Sequence, residues 1–205
     1  MSACVTCCKA NDEGDYFPIW GTGLGFQMLT VLVAGENLWS KTTAENVTYP
    51  LNLSTEASSS RMFTNFPSDV RKVLSQEPLT ANFHHYGVTK EAFMGNEKLS
   101  GSFSVLSTNI AQNGLEFVST MEGRKKPFYG VQWHPEVSRF QWDPRYNFPF
   151  SSNAERVSSL LAEFFVNEGR RSSHHFSEAA EESSAHNYSP VYVVNISAYK
   201  QSYFF

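Results

Sequence analysis

The sequence predicts an α/β fold, and three observations support this prediction. A short apolar segment, residues 16–20, leads through a glycine-rich turn into the apolar segment 24–34, an order typical of a strand, a tight turn and a helix. Residues 102–108 and 115–120 alternate apolar and polar side chains, as half-buried strands do. Residues 153–168 repeat apolar side chains at the spacing of an amphipathic helix.

The first strand–turn–helix unit is the most specific local pattern in the chain. Its helical segment repeats apolar side chains at helical spacing and is therefore predicted to be a buried helix. The residues that carry this pattern are Leu24, Met28, Leu29, Leu32 and Val33. Gly35 follows directly, and glycine is the usual residue just past the C-terminus of a helix.

The middle of the chain predicts short strands joined by turns. Residues 46–53 are strand-like, and a serine-rich turn follows them. Asn113 and Gly114 lie between the two alternating segments and favour a hairpin turn. Residues 127–133 predict a further strand, which ends at His134. The predicted strands therefore place one histidine, His134, at a strand end.

The clearest helix is predicted at residues 153–168. Asn153 is suited to cap its N-terminus, and Gly169 is suited to end it. Residues 172–186 are polar, and we expect them to be mobile. Residues 190–205 are strand-like and aromatic at the end, so we expect them to pack back onto the body of the protein.

Residues 1–15 form a polar leader, which we expect to be disordered, and residues 16–205 are expected to form a single domain. The three cysteines, Cys4, Cys7 and Cys8, all lie in this leader, so a disulfide framework for the fold is excluded. The cluster matches the spacing of half a metal site or a palmitoylation site. No second Cys or His set follows at ligand spacing, so we predict no metal.

Composition excludes two classes of partner. The formal net charge of -4 and a pI near 5.9 carry no electrostatic footprint for nucleic acid. No apolar run approaches the length needed to span a bilayer, so we predict no membrane partner.

The indications of cellular location conflict. The first ten residues lack the pattern of a secretion signal, which suggests a cytoplasmic chain with a truncated or alternative start. Four N-x-S/T sequons instead suit a secreted glycoprotein; they lie at Asn46, Asn52, Asn187 and Asn195.

The glycine-rich turn, residues 21–25, allows two interpretations. A dinucleotide-binding loop requires glycine where this chain has Phe26, so that fingerprint fails. The turn matches the nucleophile elbow G-x-Nuc-x-G, in which a nucleophile sits on a strained bend between strand and helix. Gly23 occupies the nucleophile's position, and glycine has no side chain that can attack a substrate.

His134 and Glu136 form the second half of the predicted site. An imidazole at a strand end can take a proton from a thiol, and a nearby carboxylate can fix its tautomer. A single histidine beside a glutamate is more often a surface or core residue. The elbow at Gly23, some 110 residues upstream, makes the catalytic interpretation the better one.

These motifs resemble those of the γ-glutamyl hydrolase family, whose elbow reads W-G-T-C-L-G-F where this chain has residues 20–26. Residues 78–86 (PLTANFHHY), 129–136 (YGVQWHPE) and 161–168 (LAEFFVNE) are similar in the same order. The resemblance runs from about residue 14 to the C-terminus. It implies an α/β fold of the class I glutamine amidotransferase-like (flavodoxin-like) type, a sandwich of helices on a sheet.

The resemblance also implies a function and a set of roles. The family hydrolyses γ-glutamyl bonds of folate poly-γ-glutamates with a cysteine and a histidine, and it uses no cofactor. By position, His134 is the general base, Glu136 orients it, and His84 contacts substrate; without the resemblance, His84 would read as part of a polar loop. The family is secreted or lysosomal, and the resemblance leaves a homodimer open.

This chain departs from the family at two points. Gly23 stands at the nucleophile position, and the chain begins just before the elbow strand, so we expect a sheet that is incomplete on its N-terminal side and marginally stable alone. Three hypotheses follow: a hydrolase by descent that is catalytically inactive, a pseudoenzyme that binds γ-glutamyl ligands or a homologous subunit, or a truncated transcript product without a function.

Overall fold

The α/β class is confirmed by a computed structural model, which describes residues 3–141 and 143–185. Helices and strands are interspersed along this range, and a short 3-10 helix spans Thr55–Ser59. The strands are β1 (Ile19–Thr22), β2 (Trp39–Tyr49), β3 (Asn52–Leu53), β4 (Thr80–Val88), β5 (Phe103–Ile110), β6 (Glu116–Gly123) and β7 (Phe128–Val131). The α-helices of the described ranges are α1 (Ala3–Asp12), α2 (Leu24–Ala34), α3 (Arg61–Thr64), α4 (Ser68–Gln76), α5 (Lys90–Gly95), α6 (Glu97–Ser102), α7 (Val137–Phe140), α8 (Ser152–Gly169) and α9 (Ala179–Ala185).

Five strands form the main sheet, in the order β1-β7-β6-β5-β3. β1 and β7 run parallel, with Ile19 opposite Phe128 and Thr22 opposite Val131, whereas the other neighbours in this sheet are antiparallel. β2 and β4 form a separate antiparallel pair. Because parallel strands end at the same edge, the residues after Thr22 and after Val131 emerge side by side.

Helices cover both faces of the main sheet and bury two large apolar clusters. On one face, side chains of α4 and α8 pack with Tyr129 and Val131 of β7. On the other face, α2, α5 and α6 pack with Phe128 and with β6. Consecutive β7 side chains point to opposite faces, so this short strand joins both halves of the core.

Several predicted elements are confirmed. The hairpin turn at Asn113 and Gly114 joins β5 to β6, and Gly114 has φ 84°. α2 ends at Gly35, which adopts the left-handed conformation with φ 79°. In both places the backbone angle favours glycine because a Cβ would be strained there.

Two details of the predicted helices are wrong. α8 is capped by Ser151, whose hydroxyl accepts a hydrogen bond from the backbone N–H of Ala154, and Asn153 lies within the helix. The predicted apolar face of α2 is largely open, with Leu24, Met28 and Leu32 each 42% or more exposed. α2 is apolar almost all round, so its periodicity could not identify the buried face.

The leader differs from the disorder predicted for it. Residues 3–12 form α1, and Cys7 and Cys8 pack against the apolar cluster beneath α2. The Asn11 side chain donates to the carbonyls of Cys7 and Phe17, which ties the helix to the chain that enters β1. Burial raises the pKa of the Cys7 thiol, and the neighbouring Cys8 raises it further.

The chain divides into two compact units, one ending at Ser172 and one beginning at Ser173. In the second unit the described residues form α9, in the range predicted to be mobile. The strand predicted at residues 190–205 lies outside the described residues. Among the residues that are described, the helices are too short or too polar to cross a membrane.

Candidate active site

The turn between β1 and α2 has the geometry of a strained elbow. Gly23 adopts φ 54° and ψ -110°, a combination that residues with a side chain rarely occupy. Its N–H donates to the carbonyl of Val131, which ties the tip of the turn to the end of β7. α2 begins at the next residue, so its N-terminal N–H groups and dipole favour negative charge beside the turn.

Close approach of the neighbouring backbone also shapes the turn. A Cβ on Gly21 would lie 2.6 Å from the backbone carbonyl group of Gly25. A side chain at this position is therefore excluded unless the turn opens. The glycine-rich sequence thus permits the sharp reversal from strand to helix.

The parallel pairing of β1 and β7 brings His134 to the elbow. An ideal Cβ built on Gly23 would lie 2.7 Å from Nε2 of His134. The His134 backbone N–H donates to the carbonyl of Ala81 in β4, which fixes the chain just past β7. Two of the site residues predicted from the sequence, Gly23 and His134, therefore face each other.

Glu136 completes the arrangement on the far side of the imidazole. Its Oε1 lies 2.7 Å from Nδ1 of His134, and because a carboxylate only accepts, Nδ1 carries the proton in this contact. Nε2, the nitrogen that faces Gly23, is then the basic nitrogen of the neutral ring. Phe83 packs edge-on against the imidazole, with the ring centres 6.3 Å apart.

His84 lies in the same site but in a different environment. It is buried, its Nδ1 donates to the carbonyl of Tyr86 at 3.0 Å, and its ring packs edge-on against Phe117. Burial lowers the pKa of His84, the hydrogen bond to Tyr86 opposes this shift, and a positive charge on His134 would add to it; the resulting pKa is about 4. Nε2 faces Oδ1 of Asn82 at 3.2 Å, a contact between two acceptors unless the ring is protonated.

A cavity of about 200 Å³ lies between these groups. It is lined by Gly23, Leu24, Gln27, Phe83, His84, His85, Tyr86, Gln132 and His134. Gln27 and Gln132 were not predicted as site residues, although Gln27 directly follows the elbow motif and Gln132 lies within the motif of residues 129–136. The signal that could have found them is their position in the sequence, because Gln27 lies four residues after Gly23 and Gln132 lies two residues before His134.

The described residues hold no cluster of three or more His, Cys, Asp or Glu side chains that could bind a metal ion. Asn52 is exposed, whereas the amide of Asn46 accepts from the backbone N–H of Asn147. Asn187 and Asn195 lie outside the described residues. Glycosylation, secretion and a homodimer stay predictions.

A strained strand–helix turn, an imidazole at its tip and a carboxylate behind that imidazole have the arrangement of a nucleophile-elbow hydrolase with glycine in place of the nucleophile. Comparison with known proteins agrees with this class. The chain belongs to the Peptidase C26 family, whose sequence model matches residues 8–136.

The chain is similar to gamma-glutamyl hydrolases over nearly its whole length. It is 47% identical over 199 residues to gamma-glutamyl hydrolase from Homo sapiens and to that from Bos taurus, covering 96% of this chain and 62% of each relative. It is 37% identical over 198 residues to gamma-glutamyl hydrolase B from Dictyostelium discoideum, covering 95% of this chain and 57% of that protein. The chain thus spans about three-fifths of the length of these relatives.

Proposed function

We propose that this chain is a γ-glutamyl hydrolase by descent that cannot carry out covalent hydrolysis of γ-glutamyl bonds in folate poly-γ-glutamates. The observation that carries the proposal is the elbow at Gly23, which faces Nε2 of His134 but offers it no thiol. The identity to gamma-glutamyl hydrolases supports the substrate class.

The remaining groups are those of a base and its orienting partner. Glu136 holds the proton on Nδ1 of His134, so Nε2 is poised to take a proton from a thiol at the tip of the turn. Without sulfur at residue 23, no acyl-enzyme bond can form. Loss of the nucleophile from such a site removes a rate enhancement on the order of a million-fold.

The direct test is an assay of pteroyltriglutamate hydrolysis by the purified chain, in which the released glutamate is measured. We expect no release above the rate of the chain with His134→Asn. Turnover that persists after Cys4, Cys7 and Cys8 are all replaced by serine would contradict the proposal. Turnover that requires one of those cysteines would contradict it as well, because the leader would then supply the nucleophile.

The variant Gly23→Cys tests the geometry of the elbow separately from turnover. A thiol at residue 23 lies against His134 and at the N-terminus of α2, and both lower the pKa of a thiol. We expect alkylation by iodoacetamide at pH 6 to be about tenfold faster in Gly23→Cys than in Gly23→Cys with His134→Asn. Equal rates would show that His134 does not act on residue 23.

A second function, binding without hydrolysis, is favoured by the cavity beside the elbow. Its volume of about 200 Å³ is smaller than that of drug-sized sites and suits one small group, such as a single γ-glutamyl residue. Calorimetry with γ-glutamylglutamate tests this function. We expect saturable heat in the millimolar range or below, and a flat titration up to millimolar ligand would exclude binding.

A further inference from the structure

Gln132 is a buried amide whose nitrogen has no hydrogen-bond partner within the described ranges 3–141 and 143–185. The residue is 1% exposed, follows β7 directly and lines the cavity beside the elbow. A buried donor without a partner is costly in free energy, so such groups are uncommon in folded proteins and call for a physical explanation.

The orientation of this amide is fixed by a chain of hydrogen bonds. The carbonyl of Tyr86 can only accept, and it accepts from Nε2 of Gln27 at 2.7 Å. The same nitrogen donates to Oε1 of Gln132 at 3.1 Å. A flipped Gln132 would set its own N–H groups against those of Gln27, so its oxygen must face Gln27 and its nitrogen must remain without that partner.

We propose that Gln132 is a ligand-binding residue, which donates an N–H to the amide carbonyl oxygen of a γ-glutamyl group held in the cavity. The inference rests on the binding function proposed above and assigns one contact within it. A neutral donor in a buried site suits a neutral carbonyl oxygen, because a buried carboxylate needs an opposite charge nearby. His84, which also lines the cavity, is neutral at physiological pH and supplies no such charge.

Gln27 is the positioning residue in this arrangement. Its amide nitrogen donates to both Tyr86 and Gln132, so it holds the Gln132 oxygen away from the ligand and keeps the donor turned to it. Removal of Gln27 would let the Gln132 amide rotate. The ligand oxygen would then meet an oxygen in part of the population.

The test is calorimetry of γ-glutamylglutamate with the whole chain and its variants. Gln132→Met keeps the length of the side chain but removes both donors, and we expect a dissociation constant about 10- to 100-fold higher. Gln132→Glu places an acceptor against the ligand oxygen and should weaken binding further. Gln27→Met should cause a smaller loss than Gln132→Met. Gln76→Met, an exposed glutamine at the end of α4, is the matched control and should bind as the parent does.

Thermal unfolding without ligand separates ligand binding from a structural role. Gln132→Met removes a buried donor that has no partner, which is favourable, together with the oxygen that accepts from Gln27, which is unfavourable. We therefore expect its melting temperature to stay close to that of the parent chain. A melting temperature several degrees lower would assign Gln132 a structural role and overturn the inference. An unchanged or raised melting temperature with weakened binding supports it.

The two proposals fail in different ways. If the parent chain gives no heat with γ-glutamylglutamate, the binding function itself is wrong. If the parent chain binds and Gln132→Met binds equally well, binding stands and the assignment of Gln132 is overturned.

Discussion

The two ends of the β1–β7 strand pair use the same kinds of side chain for opposite purposes. Where the strands begin, Glu168 of α8 is buried and accepts hydrogen bonds from Tyr129 at 2.5 Å and from Tyr16. Where the strands end, Glu136 is 46% exposed on its side chain and holds one nitrogen of His134. One carboxylate is enclosed by donors, and the other supports a base that faces a cavity.

The two sites differ in whether their hydrogen-bonding groups find partners within the protein. Arg171 donates to Glu168 at 2.9 Å and its guanidinium lies 4.0 Å from the ring centre of Tyr16. Burial and the Glu168 carboxylate raise the pKa of Tyr16 to about 12, so its hydroxyl stays a donor. In this cluster the members satisfy one another's hydrogen bonds, whereas the elbow site lines a cavity with His134 and with Gln132, whose amide nitrogen has no partner among the described residues.

The largest effect that tests this contrast is loss of the Glu168 carboxylate. Glu168→Ala leaves the buried hydroxyl of Tyr129 without its acceptor and takes one of two acceptors from the guanidinium of Arg171. We expect the free energy of unfolding to fall by about 4 kcal/mol, measured by urea denaturation. Glu168→Gln, which keeps one acceptor oxygen, should lose less.

Glu163→Ala is the matched control for that experiment because Glu163 is exposed on the same helix. We expect a change within about 0.5 kcal/mol. An equal loss in both variants would mean that the cluster contributes nothing specific. The contrast with the elbow site would then disappear.

The next effect concerns two buried titratable groups in these regions. At neutral pH His84 is neutral and Glu168 is ionised. Burial lowers the pKa of His84 from 6.5 to about 4, so the unfolded chain binds a proton more readily than the folded one. The stability from neutral His84 is therefore present above pH 6.5 and is lost as the pH falls toward 4. A shift of this size corresponds to about 3 kcal/mol.

Glu168 follows the same sign in a more acidic window. Burial raises its pKa, but the hydrogen bonds from Tyr129 and Tyr16 outweigh burial and the pKa is lowered. Its contribution is present above the ordinary glutamate pKa of 4.5 and is lost below it. Urea denaturation of the parent chain should thus show a loss of unfolding free energy as the pH falls from 7 to 4. We expect this loss to be absent in His84→Gln and to remain in His85→Gln, a variant of the exposed neighbour. If the unfolding free energy of His84→Gln depends on pH as strongly as that of the parent chain, this assignment is contradicted.

The sequence was sufficient to predict the parts of the site that lie on one continuous segment. The elbow at Gly23 depends on residues 21–25 alone, and the pairing of His134 with Glu136 depends on a spacing of two. Both motifs occur within a few residues, so their geometry is largely local. Their approach to each other was predicted through the family resemblance, and the β1–β7 register now accounts for it.

The parts that could not be predicted depend on contacts between distant segments. The amide of Gln132 is oriented by Gln27, which lies 105 residues earlier in the chain. Gln27 is oriented in turn by the carbonyl of Tyr86, 59 residues after it. The open face of α2 escaped prediction because apolar side chains surround the helix. α1 was missed because Cys7 and Cys8 bury against a cluster formed by later residues.

Effects of about 3 kcal/mol down to less than 1 kcal/mol are expected within the elbow itself, where three glycines meet different surroundings. A Cβ on Gly21 meets backbone atoms at 2.6 Å, which cannot move aside easily, so Gly21→Ala should cost about 3 kcal/mol. A Cβ on Gly23 meets the imidazole of His134 and a strained φ, so Gly23→Ala should cost about 2 kcal/mol. Gly25 has no atom within 4 Å of its Cβ position, so Gly25→Ala should stabilise α2 by about 0.5–1 kcal/mol.

The order of these three variants, measured by urea denaturation, separates strain from packing. If Gly23→Ala is tolerated as well as Gly25→Ala, the turn relaxes without cost and the elbow is not a strained bend. In that case glycine at residue 23 would bring no conformational advantage. If Gly23→Ala is costly but the added variant His134→Ala relieves most of the loss, contact with the imidazole outweighs backbone strain. If the loss of unfolding free energy persists in the double variant, the cost comes from the backbone angle φ of residue 23. Glycine then stabilises the bend, because a nucleophilic residue with a side chain would be strained at the same φ.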